Sequence, residues 1–192
     1  MRPNIPYKLV LASKSPRRQM LLRQLNWTFD IITQNTDESY PSSLDIAKVP
    51  IYIAKQKASA VLPKISKNQL IIAADTIVAL NKTIFGKPKN ATDAFRILQQ
   101  LSGKKHKVIT GVCLQTQKTE HCFSCTTDVF FKTLSEQQMK YYIDYYKPYD
   151  KAGAYAIQEW IGMIGIEKID GCYFNVMGLP LSRLYEELSF FC

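Results

Sequence analysis

One short segment constrains the fold of this chain more than any other. In it an apolar run, a Ser-x-Ser-Pro-Arg-Arg motif and a helical pattern follow one another without a gap. The apolar run Leu9 to Ala12 is typical of a buried strand. Ser15 is a good N-cap residue, and Pro16 suits the first position of a helix that the apolar spacing over residues 19–25 continues. The sequence therefore predicts a strand–loop–helix unit close to the N-terminus.

The predicted start of this helix is a candidate anion site. Ser13 and Ser15 offer two hydroxyl groups, and Arg17 and Arg18 offer guanidinium groups that suit phosphate oxygens. The free N–H groups and the dipole of a helix N-terminus favour an anion at the same place. A helix cap with two solvated arginines is the alternative, and this segment alone leaves both interpretations open.

The rest of the chain alternates between strand and helix patterns. Strands are predicted over residues 29–33, 70–74, 77–80, 83–85, 108–117 and 120–132, and a turn or strand over 171–175. Helices are predicted over residues 49–62, 90–101, 135–146 and 181–188. Because strands and helices mix in both halves, the pattern predicts a single α/β domain over residues 1–192, with room for two lobes and a cleft.

Charge and hydropathy narrow the class of partner. The chain has 25 Lys and Arg against 16 Asp and Glu, a formal charge of +9, which favours anionic partners. The positive residues are scattered and form no long basic run, which argues against nucleic acid. No apolar stretch is long enough to span a membrane, and residues 1–7 lack the apolar region of a signal peptide. We therefore expect a cytoplasmic protein with no membrane partner.

The five cysteines give little sequence evidence for a metal site. Cys122 and Cys125 form a lone Cys-x-x-Cys motif. A structural zinc site normally needs a second pair of ligands, and the sequence places none at a suitable spacing. We therefore interpret them as ordinary strand residues with free thiols.

Two acidic positions indicate a site for a hard cation. Asp75 is predicted at the C-terminal end of a buried strand, where α/β proteins usually place their sites. Glu38 follows Asp37 in a polar loop, where acids are most often simply solvated. Together with Asp75 these loop acids could hold Mg²⁺, which takes one or two carboxylates together with substrate phosphates.

Three lysines stand in unusual sequence surroundings. Lys55 lies in a largely apolar helical stretch, Lys87 is fixed between Gly86 and Pro88, and Lys151 precedes an Ala-Gly-Ala-Tyr segment. Each alone is most often a surface residue. Together they could neutralise a polyphosphate.

Seven blocks of residues, taken in order, resemble the Maf family of nucleoside triphosphate pyrophosphatases. The blocks are Ser13 to Arg18, Asp37 and Glu38, Ala74 to Thr76, Gly86 to Pro88, Ser102 to Val112, Asp150 to Gln158, and Asn175 to Pro180. The resemblance implies a two-lobed α/β fold like that of inosine triphosphatase, in which helices flank a mixed, strongly bent sheet with a central cleft. It also implies hydrolysis of a nucleoside triphosphate to the monophosphate and pyrophosphate, a divalent metal (Mg or Mn), and often a homodimer.

The resemblance also implies roles for individual residues. Asp75 is expected to be the catalytic proton acceptor, with Glu38 and Lys87 as further catalytic residues and with Glu38 and Asp75 as metal ligands. Substrate binding is expected from Ser13, Ser15, Arg17, Arg18, Lys55, Thr76, Lys151 and Gln158. The chain departs from the family pattern at Glu159, where glycine is common, and at Cys172, where serine is frequent.

Three features resemble the family branch that acts on dTTP and UTP. No residue is inserted before Arg17, and Thr76 and Gln158 stand at the two other positions that separate the branches. A Gln side chain carries both a donor and an acceptor, which match the N3–H and the carbonyl groups of uracil or thymine. The branch that acts on 7-methyl-GTP carries different residues at these positions.

A non-enzymatic protein that binds nucleic acid or regulates division is the alternative function. The basic composition allows it. Such a protein has no need for Asp75 and Glu38 beside basic residues, and metal-dependent release of pyrophosphate from nucleotides distinguishes the two.

Overall fold

The computed structural model describes residues 4–192. Residues 1–3, with which the predicted domain and the segment searched for a signal peptide begin, lie outside the described residues. The strands are β1 (Lys8–Leu11), β2 (Phe29–Ile31), β3 (Gln69–Leu80), β4 (Thr83–Phe85), β5 (Lys105–Gln115), β6 (Glu120–Phe131) and β7 (Ile166–Asp170). The α-helices are α1 (Pro16–Gln24), α2 (Val49–Val61), α3 (Ala91–Leu101), α4 (Glu136–Tyr146), α5 (Trp160–Gly165), α6 (Tyr173–Met177) and α7 (Leu181–Glu187).

The strands form one mixed seven-stranded sheet in the order β2-β1-β3-β5-β6-β7, with β4 paired to β3. β1 is parallel to both β2 and β3, whereas β4 is antiparallel to β3 and β7 is antiparallel to β6. With helices packed on this sheet, the predicted mixed α/β class is confirmed. Within residues 4–192, no helix combines the length and the apolar character that a membrane crossing requires.

Most element predictions are confirmed, and two need correction. The predicted capping box is present at Ser135 and begins α4, and Asn90 caps α3. The segment predicted as a turn or strand at residues 171–175 instead leads into the short helix α6. Asp75 does not end a strand: β3 continues five residues further, to Leu80. The physical reason is that β-branched and apolar residues follow Asp75 with no glycine or proline to stop the strand.

The chain divides into two compact units, each assembled from separate segments. The first unit contains Met1–Asp75, Thr110–Cys125 and Gly178–Cys192, and the second contains Thr76–Ile109 and Thr126–Met177. In the first unit, α2 covers a buried cluster of small and branched side chains from β1, β3 and β5. In the second unit, α3 and α4 pack on a larger cluster that includes residues of β3, β5 and β6.

The packing of α2 on β5 depends on a glycine. An added Cβ at Gly111 would lie 2.3 Å from the backbone nitrogen of Ile51 and 2.4 Å from the carbonyl carbon of Pro50. The backbone of α2 therefore lies directly on β5 at this point, and no larger residue fits there without moving the helix.

Candidate active site

The predicted strand–loop–helix unit is present in the first unit of the chain. Ser15 is the N-cap of α1, its hydroxyl accepts a hydrogen bond from the N–H of Arg18 at 3.5 Å, and Pro16 occupies the first turn. The hydroxyl of Ser13, which is buried, accepts a hydrogen bond from the N–H of Ser15 at 3.2 Å. The two hydroxyl groups therefore fix the loop between β1 and α1, and the predicted N-cap at Ser15 is confirmed.

Arg18 is buried and fastens this loop to its surroundings. Its Nε donates to the carbonyl of Gly178 and its Nη1 to the carbonyl of Ala74, both at 2.8 Å, while Nη1 also lies 3.4 Å from the hydroxyl of Ser13. Burial lowers the pKa of Arg18 from its ordinary value, and the negative charge of Asp75 acts in the opposite direction. Arg18 thus places a positive charge beside Asp75, and two of its nitrogen atoms donate to main-chain carbonyls.

Two carboxylates converge on one ammonium group. Lys57 Nζ lies 2.7 Å from Asp75 Oδ1 and 2.9 Å from Glu38 Oε1. The side chains of Lys57 and Asp75 are only 17% and 13% exposed, whereas that of Glu38 is 52% exposed. The first unit therefore brings Glu38, Asp75, Arg18 and Lys57 into one mixed-charge cluster.

The donor set of this cluster fits a hard divalent cation. Glu38 and Asp75 already direct one carboxylate oxygen each toward a single positive charge. Mg²⁺ and Mn²⁺ prefer such oxygen ligands and commonly take one or two carboxylates, leaving other positions for phosphate oxygens and water. The two acids predicted from the sequence as metal ligands are thus found together.

The structure separates the two lysines of α2. Lys55 Nζ pairs with Glu120 Oε1 at 2.5 Å and is 46% exposed, and it does not join the described contacts of Asp75. Lys57, which the sequence analysis did not single out, makes those contacts instead. The signal was available, because Lys57 lies four residues after Ile53 and next to Ala58, on the face of α2 that is buried. Two residues apart on a helix, Lys55 and Lys57 point in different directions.

The second unit contains a second polar group around Lys151. This side chain is buried, and its Nζ lies 2.7 Å from Asp150 Oδ1 and 3.3 Å from Glu159 Oε1. The hydroxyl of Tyr142 donates to the other oxygen of Glu159. Burial, followed by the hydrogen bond to Glu159, raises the pKa of Tyr142, which keeps the phenol protonated. Glu159 therefore takes part in holding Lys151.

The loops that carry Lys87 and Lys151 are joined. The N–H of Gly153 donates to the carbonyl of Gly86 at 3.1 Å, and Gly153 adopts a φ of +72°, packed against Val78. Lys87 itself is exposed. The structure therefore links the Gly-Lys-Pro segment to the Lys151 segment through main-chain contacts.

Gln158 carries an unsatisfied acceptor. Among residues 4–192, its Oε1 is buried and has no hydrogen-bond partner. A buried carbonyl oxygen without a partner costs free energy, which a ligand that donates a hydrogen bond would recover. Thr76, the other residue of the predicted specificity set, is half-buried in β3.

The chain is similar to known proteins over nearly its whole length. The family model described as Maf-like protein matches residues 8–191. A protein of Bacteroides fragilis named dTTP/UTP pyrophosphatase is 50% identical over 184 residues, covering 95% of both chains. Proteins of the same name from Parabacteroides distasonis and Porphyromonas gingivalis are 49% and 46% identical, covering 96% of this chain and 96% and 94% of their own.

Similarity to solved structures is more distant. The Ham1 protein of Staphylococcus aureus has a TM-score of 0.46 and 14% sequence identity, covering 65% of this chain and 71% of that chain.

Proposed function

The chain belongs to the Maf family, and on that premise we propose that it hydrolyses dTTP and UTP to the nucleoside monophosphate and pyrophosphate. The observation that carries the chemistry is the convergence of Asp75 and Glu38 on Lys57, beside the buried charge of Arg18. The proposed choice of substrate rests on the 46 to 50% identity, over nearly the whole chain, to proteins named dTTP/UTP pyrophosphatase.

In this proposal Asp75 is the general base. A water molecule attacks the α-phosphorus, the bond to the pyrophosphate oxygen breaks, and the proton of the water passes to Asp75, which must lie within about 3 Å of that water. Asp75 suits the role because β3 fixes its backbone and because its side chain is 13% exposed. A divalent cation held by Glu38 and Asp75 would supply neutralisation of charge on the phosphate oxygens.

The basic residues bind and stabilise the phosphates. We assign direct contacts to Arg17, Lys87 and Lys151. We give the role expected of Lys55 to Lys57, because Lys57 Nζ lies 2.7 Å from Asp75 Oδ1 whereas Lys55 Nζ pairs with Glu120. Positive groups placed where charge accumulates on the departing pyrophosphate lower the barrier. For Arg18 we propose positioning of the loop of Ser13 and Ser15, because Arg18 donates to two main-chain carbonyls.

In this proposal Gln158 and Thr76 recognise the base of the nucleotide. The unsatisfied Oε1 of Gln158 can accept the N3–H of uracil or thymine, and its amide can donate to a neighbouring carbonyl of the base. Adenine carries no N–H at the corresponding ring nitrogen. Because uracil and thymine differ by one methyl group, worth about 1–3 kcal/mol at most, both nucleotides are accepted.

A panel of nucleotides tests the proposal. Purified protein is given dTTP, UTP, ATP, GTP and 7-methyl-GTP with Mg²⁺, and pyrophosphate release is measured. The expected result is turnover of dTTP and UTP well above the others, with Gln158→Glu eroding this preference while the protein stays folded. Preference for 7-methyl-GTP would refute the assignment to this branch, and release of no pyrophosphate from any nucleotide would refute the proposed reaction.

We also propose a cytoplasmic location and a homodimer, both of which rest on the family resemblance. Sedimentation of the purified chain measures the second directly, and a single species with the mass of one 22.0 kDa chain would contradict it.

A further inference from the structure

Two cysteines and an acid lie together in the first unit, apart from the residues assigned to hydrolysis. Sγ of Cys113, Sγ of Cys122 and a carboxylate oxygen of Glu120 all lie within 4.8 Å of one another. Cys113 is buried beneath α2, Cys122 is half-buried and Glu120 reaches the surface. From these positions we propose that Cys113, Cys122 and Glu120 bind a Zn²⁺ ion. The proposal is independent of the proposed function.

The local strand geometry explains why these three residues meet. β5 and β6 are neighbours in the sheet, and the tight turn between them has the N–H of Thr116 bonded to the carbonyl of Thr119 at 2.9 Å. Continued from this turn, the register of a hairpin places Cys113 opposite Cys122. Glu120 lies two residues before Cys122 on the same strand, so its side chain leaves the sheet on the same face. The turn therefore sets the register that places all three side chains on one face of the sheet.

The spacing and chemistry of the donors suit zinc. With Zn–S bonds of about 2.3 Å, two sulfur ligands of a tetrahedral ion lie about 3.7 Å apart, which small side-chain rotations reach from the observed separation. Two thiolates, one carboxylate and Zn²⁺ sum to one negative charge. Lys55 Nζ, 2.5 Å from Glu120 Oε1, supplies the compensating positive charge.

A fourth ligand is available on the same face. Gln115 occupies the register position opposite Glu120, and its Oε1 is buried without a hydrogen-bond partner among residues 4–192. Either this carbonyl oxygen or a water molecule completes a tetrahedral shell. The Cys-x-x-Cys motif of Cys122 and Cys125 does not form this site. Cys125 lies three residues after Cys122 on β6, so the alternation of side chains along the strand directs it to the opposite face.

Metal titration of the reduced full-length protein tests the proposal. The wild type and the Cys122→Ser and Cys125→Ser variants are titrated with Zn²⁺ in competition with a coloured chelator, and separately with Cd²⁺ while the sulfur-to-metal absorption is followed. We expect one Zn²⁺ per chain and an absorption that corresponds to two thiolates in the wild type and in Cys125→Ser. In Cys122→Ser we expect the tight binding to be lost.

Glu120→Gln provides a second test, because it changes a surface side chain and leaves both thiols in place. Removing a group that only supports a ligand usually weakens metal binding about 10–100-fold, so loss of the ligand itself should weaken it by at least about tenfold. Absence of tight binding in the wild type, or equal binding in all four proteins, would overturn the proposal. So would a Cys113–Cys122 disulfide that forms in air in a protein which takes up no Zn²⁺ after reduction.

Discussion

The two lysines of α2 allow a matched test of the cluster around Asp75. Lys57→Met removes the ammonium group that lies between Asp75 and Glu38 and leaves an acid that is only 13% exposed without its ion-pair partner. Lys55→Met, two residues earlier on the same helix, removes an ammonium group that pairs with Glu120. The side chains of Lys55 and Glu120 are 46% and 35% exposed. The same chemical change is thus made in two different environments.

The expected losses in the free energy of unfolding follow from these exposed fractions. Breaking a buried ion pair from one side costs about 3–5 kcal/mol, and an exposed pair contributes about 0–1 kcal/mol. The pair of Lys57 and Asp75 lies between these limits, so we expect Lys57→Met to lower the free energy of unfolding by about 1–3 kcal/mol. Glu38 adds little because it is half exposed. For Lys55→Met we expect a loss below about 1 kcal/mol.

Urea denaturation of the two variants, with Asp75→Asn and the Lys57→Met/Asp75→Asn double variant, measures these differences and isolates the coupling between the two side chains. Turnover adds a second reading. Loss of a stabilising group at a reaction centre costs about 10²–10³-fold in rate, so Lys57→Met should lose activity while Lys55→Met keeps it. Lys57→Met should also bind Mg²⁺ more tightly in the absence of nucleotide, because the competing ammonium group is gone. Equal stabilities and equal activities in the two variants would refute the reasoning.

Four further outcomes are expected. Asp75→Asn should fold and lose about 10²–10⁴-fold in the rate of pyrophosphate release, and a folded variant with normal turnover would remove Asp75 from the role of base. Excess chelator should stop turnover and Mg²⁺ or Mn²⁺ should restore it, whereas full activity in chelator would contradict a metal at Glu38 and Asp75. Gly111→Ala should lower the free energy of unfolding by about 1–3 kcal/mol because of the contact with α2, while Gly86→Ala, whose added methyl group meets nothing within 4 Å, should change it little in the same urea assay. Burial lowers the pKa of His106 from 6.5 to about 4, so between these pH values the unfolded chain binds a proton that the native chain does not. The free energy of unfolding should therefore decrease as the pH is lowered from 6.5 to about 4, by up to about 1.4 kcal/mol per pH unit. An unchanged slope in His106→Gln would show that another group is responsible.

The sequence predicted best those features that depend on residues close together in the chain. Ser15 and Pro16 begin α1, and the capping box at Ser135 begins α4, because capping is decided within one turn of helix. The course of β3 through Asp75 was missed because an acid is a weak strand residue, and its half-buried place depends on partners distant in sequence.

Side-chain partners were harder to predict than elements. Predicting that Lys57 contacts Asp75 required the direction of the buried face of α2, and the sequence contains that direction only as a helical period. The proximity of Cys113 and Cys122 depends on a register set by the turn between β5 and β6, and the spacing of the cysteines in the sequence does not reveal that register. The role of Glu159 beside Lys151 depends on the loop conformation around Gly153, which the sequence pattern does not specify.

The bond from Arg18 to Gly178 spans 160 residues and has a consequence for synthesis of the chain. The first unit includes the segment Gly178–Cys192, which is far from β1 and α1 in the sequence. A ribosome therefore releases β1 and α1 long before Gly178 exists, and the guanidinium group of Arg18 stays hydrated until that residue has been made. Closure over such a distance is slow compared with local folding, and the waiting apolar strands are exposed to aggregation. A chain that stops before Gly178 cannot bury Arg18 in this way, so this part of the first unit can form only after residue 178 has been made.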